Sequence, residues 1–199
     1  MSDSVSRTPR PVVLIGGGIG AGKTSVSGVF SDHGFTIVST DDIGRDVLGE
    51  GSPVVETVGR LWPAVVKDGV VDRGALAQIV FADASALEEL ESITHPIIER
   101  RARNEIAASE RPVAVEVPVM KVFGNDPFTR IAVVADVDVR IARAVARGAA
   151  REDVLRRMER QPTGDEWRAW ADVAIDNSGA WARTEMSVEG IIRRVTTDG

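Results

Sequence analysis

Eight consecutive residues carry the plainest chemistry in this chain. Gly17-Gly18-Ile19-Gly20-Ala21-Gly22-Lys23-Thr24 fit the pattern G-x-x-x-x-G-K-[ST] at every specified position. Glycines let a backbone curl around a polyphosphate with several N–H groups turned towards it, and a helix starting there adds positive potential. In such a loop Lys23 reaches the β- and γ-phosphates and the Thr24 hydroxyl ligates magnesium. The expected nucleotide-binding set is Gly18, Ile19, Gly20, Ala21, Gly22, Lys23, Thr24 and Ser25, with ATP and Mg2+ as cofactors and Thr24 as the metal ligand. Composition sharpens the point: the chain has 21 arginines and only three lysines, Lys23, Lys67 and Lys121. A compact ammonium fits inside a phosphate cradle where a planar guanidinium does not.

The elements around the loop meet the context that this motif requires. Val12-Val13-Leu14-Ile15 is a continuous apolar run ending in glycine, as a parallel strand buried on both faces would be. Thr24 to Phe30 has helical spacing, and Gly34 is placed to stop it. Phe35-Thr36-Ile37-Val38 reads as a second strand, and Ser39-Thr40-Asp41-Asp42 as a cluster that caps a helix beginning near Ile43. From Gly51 to Arg111 the pattern turns helical, over Gly74 to Phe81, Ala84 to Ile93 and Pro96 to Ser109. Val113 to Val117, Arg130 to Ala135 and Val173 to Ile175 read as further strands, with a long helix over Val137 to Met158 and another after Gly179. Strands alternating with helices imply an α/β fold with a parallel sheet.

Bulk properties exclude several classes of function. At 199 residues one core is expected, and the net charge of −6 opposes general affinity for nucleic acid or anionic membranes. No run approaches the ~18 apolar residues of a membrane span. With no cysteine there is no disulfide or thiolate chemistry, and a reducing cytoplasm is the expected location. Zinc would depend on His33 and His95, far apart in sequence. No lysine follows an asparagine, so a guanine-reading N-K-x-D element is missing and a small-molecule kinase is what remains.

Beyond the loop, an ordered series of landmarks resembles the dephospho-coenzyme A kinase family from Val13 to about Ala180. It comprises Asp41 with Ile43-Gly44-Arg45, Gly51-Ser52-Pro53, Asp68-Gly69, Asp72-Arg73 with Leu76, Phe81, His95-Pro96, Glu116-Val117-Pro118, Arg147, Gln161, and Ala171-Asp172 with Asp176-Asn177-Ser178-Gly179. The resemblance implies a P-loop kinase with a central parallel five-stranded sheet, a helical substrate-binding insertion and a helical lid. After an arm at 1–10, a single domain at 11–199 divides into a core (about 11–50, 112–139 and 171–199), an acceptor-binding part (about 51–111) and a lid (about 140–165). The implied reaction is ATP-dependent phosphorylation of the ribose 3′-hydroxyl of dephospho-coenzyme A, a small-molecule partner, by a monomer or small homo-oligomer. Lid positions fall on Arg147 and Arg157, where guanidinium groups would close on the transferring phosphoryl, and Asn177 falls on an adenine contact. Catalytic roles go to Lys23, Arg147 and Asp41, the last as base for the ribose hydroxyl, since it lies just past the second strand at the ligand-binding edge of a parallel sheet.

Three departures from the family pattern keep two other readings open. Ser39-Thr40-Asp41 retains only the second of two usual carboxylates, Val119-Met120-Lys121-Val122 lacks an acid, and Leu61-Trp62 stands for a usual Phe-Gly. A kinase of the same fold with another nucleoside or coenzyme-like acceptor is one alternative. A catalytically silent, nucleotide-binding regulatory paralogue is the other. Between Arg140 and Arg160 seven arginines face three acids, which for most of them reads as a solvated helical face. His95 is expected to orient a helix start before Pro96, His33 to meet carbonyls at a helix end, and Trp167 and Trp170 to pack.

Overall fold

Each apolar run read as a strand is a strand in the computed structural model, which describes residues 10–124 and 126–197. Of the expected arm at 1–10, only Arg10 falls within the described residues. In chain order the elements begin with β1 (Val12–Gly16), α1 (Lys23–Asp32), β2 (Thr36–Ser39), α2 (Thr40–Val47) and α3 (Pro53–Leu61). A short hairpin follows, β3 (Val66–Lys67) and β4 (Val70–Val71), then α4 (Arg73–Ala82) and the long α5 (Ala84–Ala108). The remainder is β5 (Val113–Val117), β6 (Thr129–Val134), α6 (Val137–Ala146), α7 (Arg151–Glu159), α8 (Gly164–Trp170), β7 (Val173–Asp176) and α9 (Trp181–Thr197).

The chain divides into two compact units, one of residues 1–38 with 108–199 and one of Ser39–Ala107. α2 therefore groups with the helical unit, whereas the sequence reading begins that part near residue 51. In the first unit a five-stranded sheet runs β2-β5-β1-β6-β7, with β1 parallel to both β5 and β6 and β6 parallel to β7. Val13, Ile15, Ile131 and Val133 face α1 and α9 in a cluster with Val26, Phe30 and Ile191. Alternate residues Ala132 and Val134 face Trp167 on the other side. Burial on both faces is why these strands read as unbroken apolar runs. Trp167 and Trp170 pack edge to face with centroids 5.3 Å apart, the first in the core and the second partly buried against it, so both pack as expected.

Several boundaries differ from the sequence reading for identifiable reasons. The long helix expected over Val137 to Met158 is two, α6 and α7, because Gly148 adopts φ +94 and turns the chain between them. The two helices expected either side of His95-Pro96 are one, α5, so His95 does not start a helix. Pro96 lies on the exposed side of α5, where losing one backbone hydrogen bond to solvent is tolerated. In the helical unit Asp68 and Gly69, at φ 51 and 76, form the two-residue turn of the unforeseen β3/β4 hairpin. α2 begins at Thr40 rather than near Ile43, and its cap is Ser39, whose hydroxyl accepts from the Asp42 N–H at 3.2 Å. His33 does sit at the end of α1, its Nδ1 at 2.8 Å from the Val29 carbonyl and therefore the protonated nitrogen.

Candidate active site

The glycine-rich segment leaves the end of β1 and enters α1, as a phosphate loop must. Gly22 caps the helix in a left-handed conformation, φ 103, with no side chain bonded to the first-turn N–H groups and no acid in that turn. An open helix start of this kind is a ready anion site. Glycine is obligatory at two points: a Cβ on Gly20 (φ +76) would strike the Arg140 carbonyl, and one on Gly22 would strike the Asn177 side-chain nitrogen. Lys23 folds back along the loop, its Nζ donating to the Gly17 carbonyl at 2.8 Å.

Sheet register supplies the next group. Glu116 on β5 is paired with Ile15 on β1, so both side chains point to the α1 face one residue short of the loop. The Thr24 hydroxyl donates to Glu116 Oε2 at 3.3 Å. A hydroxyl beside a carboxylate is a hard-oxygen donor pair suited to magnesium, which completes its shell with phosphate oxygens and water. Among the described residues no cluster of three or more acids, histidines or cysteines forms a self-sufficient metal cage, and a nucleotide-borne Mg2+ needs none.

Segments remote in sequence hold the loop from behind. Asn177, in the turn after β7, is 2% exposed; its Nδ2 donates to the Ala21 carbonyl at 2.8 Å and its Oδ1 accepts from the Thr184 hydroxyl at 3.0 Å. Arg140 Nε donates to the Ile19 carbonyl at 2.9 Å, and Gln161 Oε1 accepts from the Ile19 N–H at 2.8 Å. The Ile19 side chain packs on the α6/α7 cluster of Ile141, Ala144 and Val154. In the turn that holds Asn177, Asp176 accepts from Ser178, which draws its carboxyl below the usual aspartate value.

The family model described as dephospho-CoA kinase matches residues 11–183. The chain belongs to the dephospho-CoA kinase family. The dephospho-CoA kinase of Corynebacterium glutamicum is 36% identical over 188 residues, covering 90% of this chain and 96% of that one. That of Mycolicibacterium paratuberculosis is 39% identical over 82% of this chain, which spans 42% of the relative's length. A Thermus thermophilus crystal structure superposes with a TM-score of 0.79 at 29% identity, covering 94% of this chain and 98% of the other. A shikimate kinase from Acinetobacter baumannii, at 12% identity and TM-score 0.51 over 95% of this chain and 94% of its own, shares the P-loop kinase fold.

Within this family member the expected site residues fall in four places. Gly18 to Thr24 form the loop and Ser25 is exposed on the first turn of α1. Asp41 lies in the other compact unit, exposed in the first turn of α2. Arg147 caps the end of α6 and Arg157 lies in the last turn of α7, both exposed. Asn177, expected against adenine, is hydrogen-bonded at both ends of its amide in the interior.

Sequence reasoning missed Arg140, and gave Glu116 and Gln161, both landmarks of the resemblance, no role at the site. Glu116 had a usable signal, an acid near the C-terminal end of an otherwise apolar strand. Arg140 had none, since it is one of seven arginines in a stretch read as a solvated face. Most of the seven are exposed, as that reading expects, but Arg140 is 7% exposed because α6 packs directly against the loop at Gly20.

Proposed function

We propose that this protein transfers the γ-phosphoryl group of ATP to the ribose 3′-hydroxyl of dephospho-coenzyme A, releasing coenzyme A and ADP. The observation that carries this reading is the intact phosphate loop, with Lys23 and the Thr24–Glu116 pair at its mouth, in a chain of the dephospho-CoA kinase family. The acceptor oxygen forms a bond to the γ-phosphorus while the bond from that phosphorus to the β,γ-bridging oxygen breaks, and the hydroxyl proton passes to the Asp41 carboxylate. Lys23 leaves the Gly17 carbonyl for the β- and γ-phosphates, a short swing of a flexible stem.

Thr24 and Glu116 are the residues that would hold magnesium, directly or through water. An ion held there would supply positive charge to offset that on the β- and γ-phosphates. Arg147 and Arg157 are assigned to close on the equatorial oxygens as 140–165 moves over the loop. Gly148 at φ +94 offers the α6/α7 turn as a pivot, and the packing of Ile19 on those helices lets loop and lid move in concert. Retention of the loop, Asp41 and Glu116 together favours a working enzyme over a silent nucleotide binder.

The test is an acceptor screen. ADP release should require dephospho-coenzyme A and magnesium and should be weak with adenosine or other nucleosides. Nucleotide binding with no turnover on any acceptor would overturn the catalytic reading. Turnover on a different acceptor alone would replace the substrate while keeping the chemistry.

A further inference from the structure

Among the described residues, one buried charge near the loop has no counterion. Arg140 is 7% exposed, and its Nη2 is fully buried without a hydrogen-bond partner. It lies so close to Gly18 that a Cβ there would collide with Nη2. Its Nε is spent on the Ile19 carbonyl, and Gln161 fixes the N–H of the same residue. The small cavity beside it is lined by Gly18, Val133, Val134, Ala135 and Trp167, none of which carries an anion. Desolvation holds the guanidinium below its usual value with no carboxylate to offset the effect. An arginine stays protonated even so, and the free protein bears the cost of an isolated interior charge.

We propose that Arg140 is a positioning residue whose buried charge is matched only when a polyphosphate fills the loop above it. With no solvent-exposed Nη2, it acts through the loop: it fixes the Ile19 peptide and adds a fixed positive field in a poorly screened setting. A positive charge tied to the loop itself through the Ile19 carbonyl favours the anion-bound state over the free one. The residue thereby trades stability of the empty protein for affinity towards phosphate chains. This inference rests on the reading of Gly17 to Thr24 as a polyphosphate cradle.

Arg140→Gln removes the charge while keeping a side-chain N–H for the Ile19 carbonyl, and Arg140→Lys keeps the charge. Thermal melts of the ligand-free proteins and calorimetric titration with ATP and with inorganic tripolyphosphate separate the possibilities. Without ligand, R140Q should melt at or above the wild-type temperature. It should bind both ATP and tripolyphosphate about 10-fold more weakly, the size of one charge-assisted interaction. R140K should bind within ~3-fold of wild type, since the charge is what matters. An R140Q chain that is less stable or unfolded without ligand, or whose affinities are unchanged, overturns the proposal by making Arg140 ordinary scaffolding. A wild-type chain that binds neither ATP nor tripolyphosphate would instead refute the cradle, and the inference with it.

Discussion

Asn177→Ala distinguishes a residue that supports the phosphate loop from one that touches adenine. The substitution removes a donor to the Ala21 carbonyl at 2.8 Å and an acceptor for the Thr184 hydroxyl at 3.0 Å, both in the interior. Leaving a buried polar group unmet costs about 1–3 kcal/mol each. The low end applies here, because the Thr184 hydroxyl also lies 3.5 Å from the Asp176 carbonyl and can turn to it, and a carbonyl is a tolerant orphan. A loss of about 2–3 kcal/mol follows, and at ~2–4 °C per kcal/mol for a chain of this size the melting temperature should drop about 5–10 °C without any ligand. Asn177→Asp is the sharper control. It keeps the shape and the Thr184 bond but sets a carboxylate against the Ala21 carbonyl, so it should destabilise more than alanine does and weaken ATP binding as well. Differential scanning calorimetry of the free proteins decides the matter. An unchanged melting temperature in Asn177→Ala with a raised KM for ATP would refute the argument and return Asn177 to the ligand.

Lys23→Ala should abolish phosphoryl transfer while shifting the melting temperature little, since the side chain serves a loop carbonyl and the ligand rather than the core; unaltered turnover would remove the basis for the loop reading. Asp41→Asn should lower kcat at saturating ATP by at least ~10²-fold, the usual scale of general-base loss. Asp42→Asn should cost far less, because the Asp42 carboxylate pairs with Arg45 on an exposed surface and the cap of α2 belongs to Ser39. Near-equal kcat values for these two variants would sink Asp41 as base. Amide exchange across residues 148–161 should slow when ATP is added, as expected of a lid, and equal protection with and without nucleotide would count against closure.

The sheet and the loop were legible because their signals are local. The central strands β1, β5 and β6 are buried on both faces, so they read as apolar runs, and the loop reads as a string of glycines ending in Lys23-Thr24. What was not legible depends on the meeting of distant segments. Nothing around Gln161 announces that it will bond to Ile19, 142 residues earlier. Nor does the sequence near Asn177 separate an amide that faces a base from one that faces a carbonyl 156 residues away. The 140–160 stretch misled in another way: its arginines are alike in sequence, yet α6 buries Arg140 while Arg147 and Arg157 stay in solvent. Boundaries failed where a single residue overrode a pattern, as Gly148 splits one expected helix and Pro96 fails to split another.

The way the loop is fastened follows from what it must do. Its N–H groups have to remain available for phosphate oxygens, so fastening through them would compete with the ligand. Carbonyls are the groups left over, and they can be held only by donors. The structure uses three such carbonyls at alternate residues: Gly17 accepts from Lys23, Ile19 from Arg140 and Ala21 from Asn177. Two of those donors are cations, so the supports that shape the backbone also add positive charge to the site. Two loop N–H groups do take acceptors: Ala21 donates to the Gly18 carbonyl at 3.2 Å and Ile19 to Gln161 at 2.8 Å, and Ile19 also packs on α6 and α7. Ile19 is thus the one loop residue tied at its N–H, its carbonyl and its side chain to the 140–161 segment, and that segment is the part of the sheet-bearing unit assigned to move. Any displacement of α6 and α7 therefore acts on the loop at that residue, beside the close approaches of Arg140 to Gly18 and Gly20, which makes its peptide a point where closure and phosphate geometry are joined.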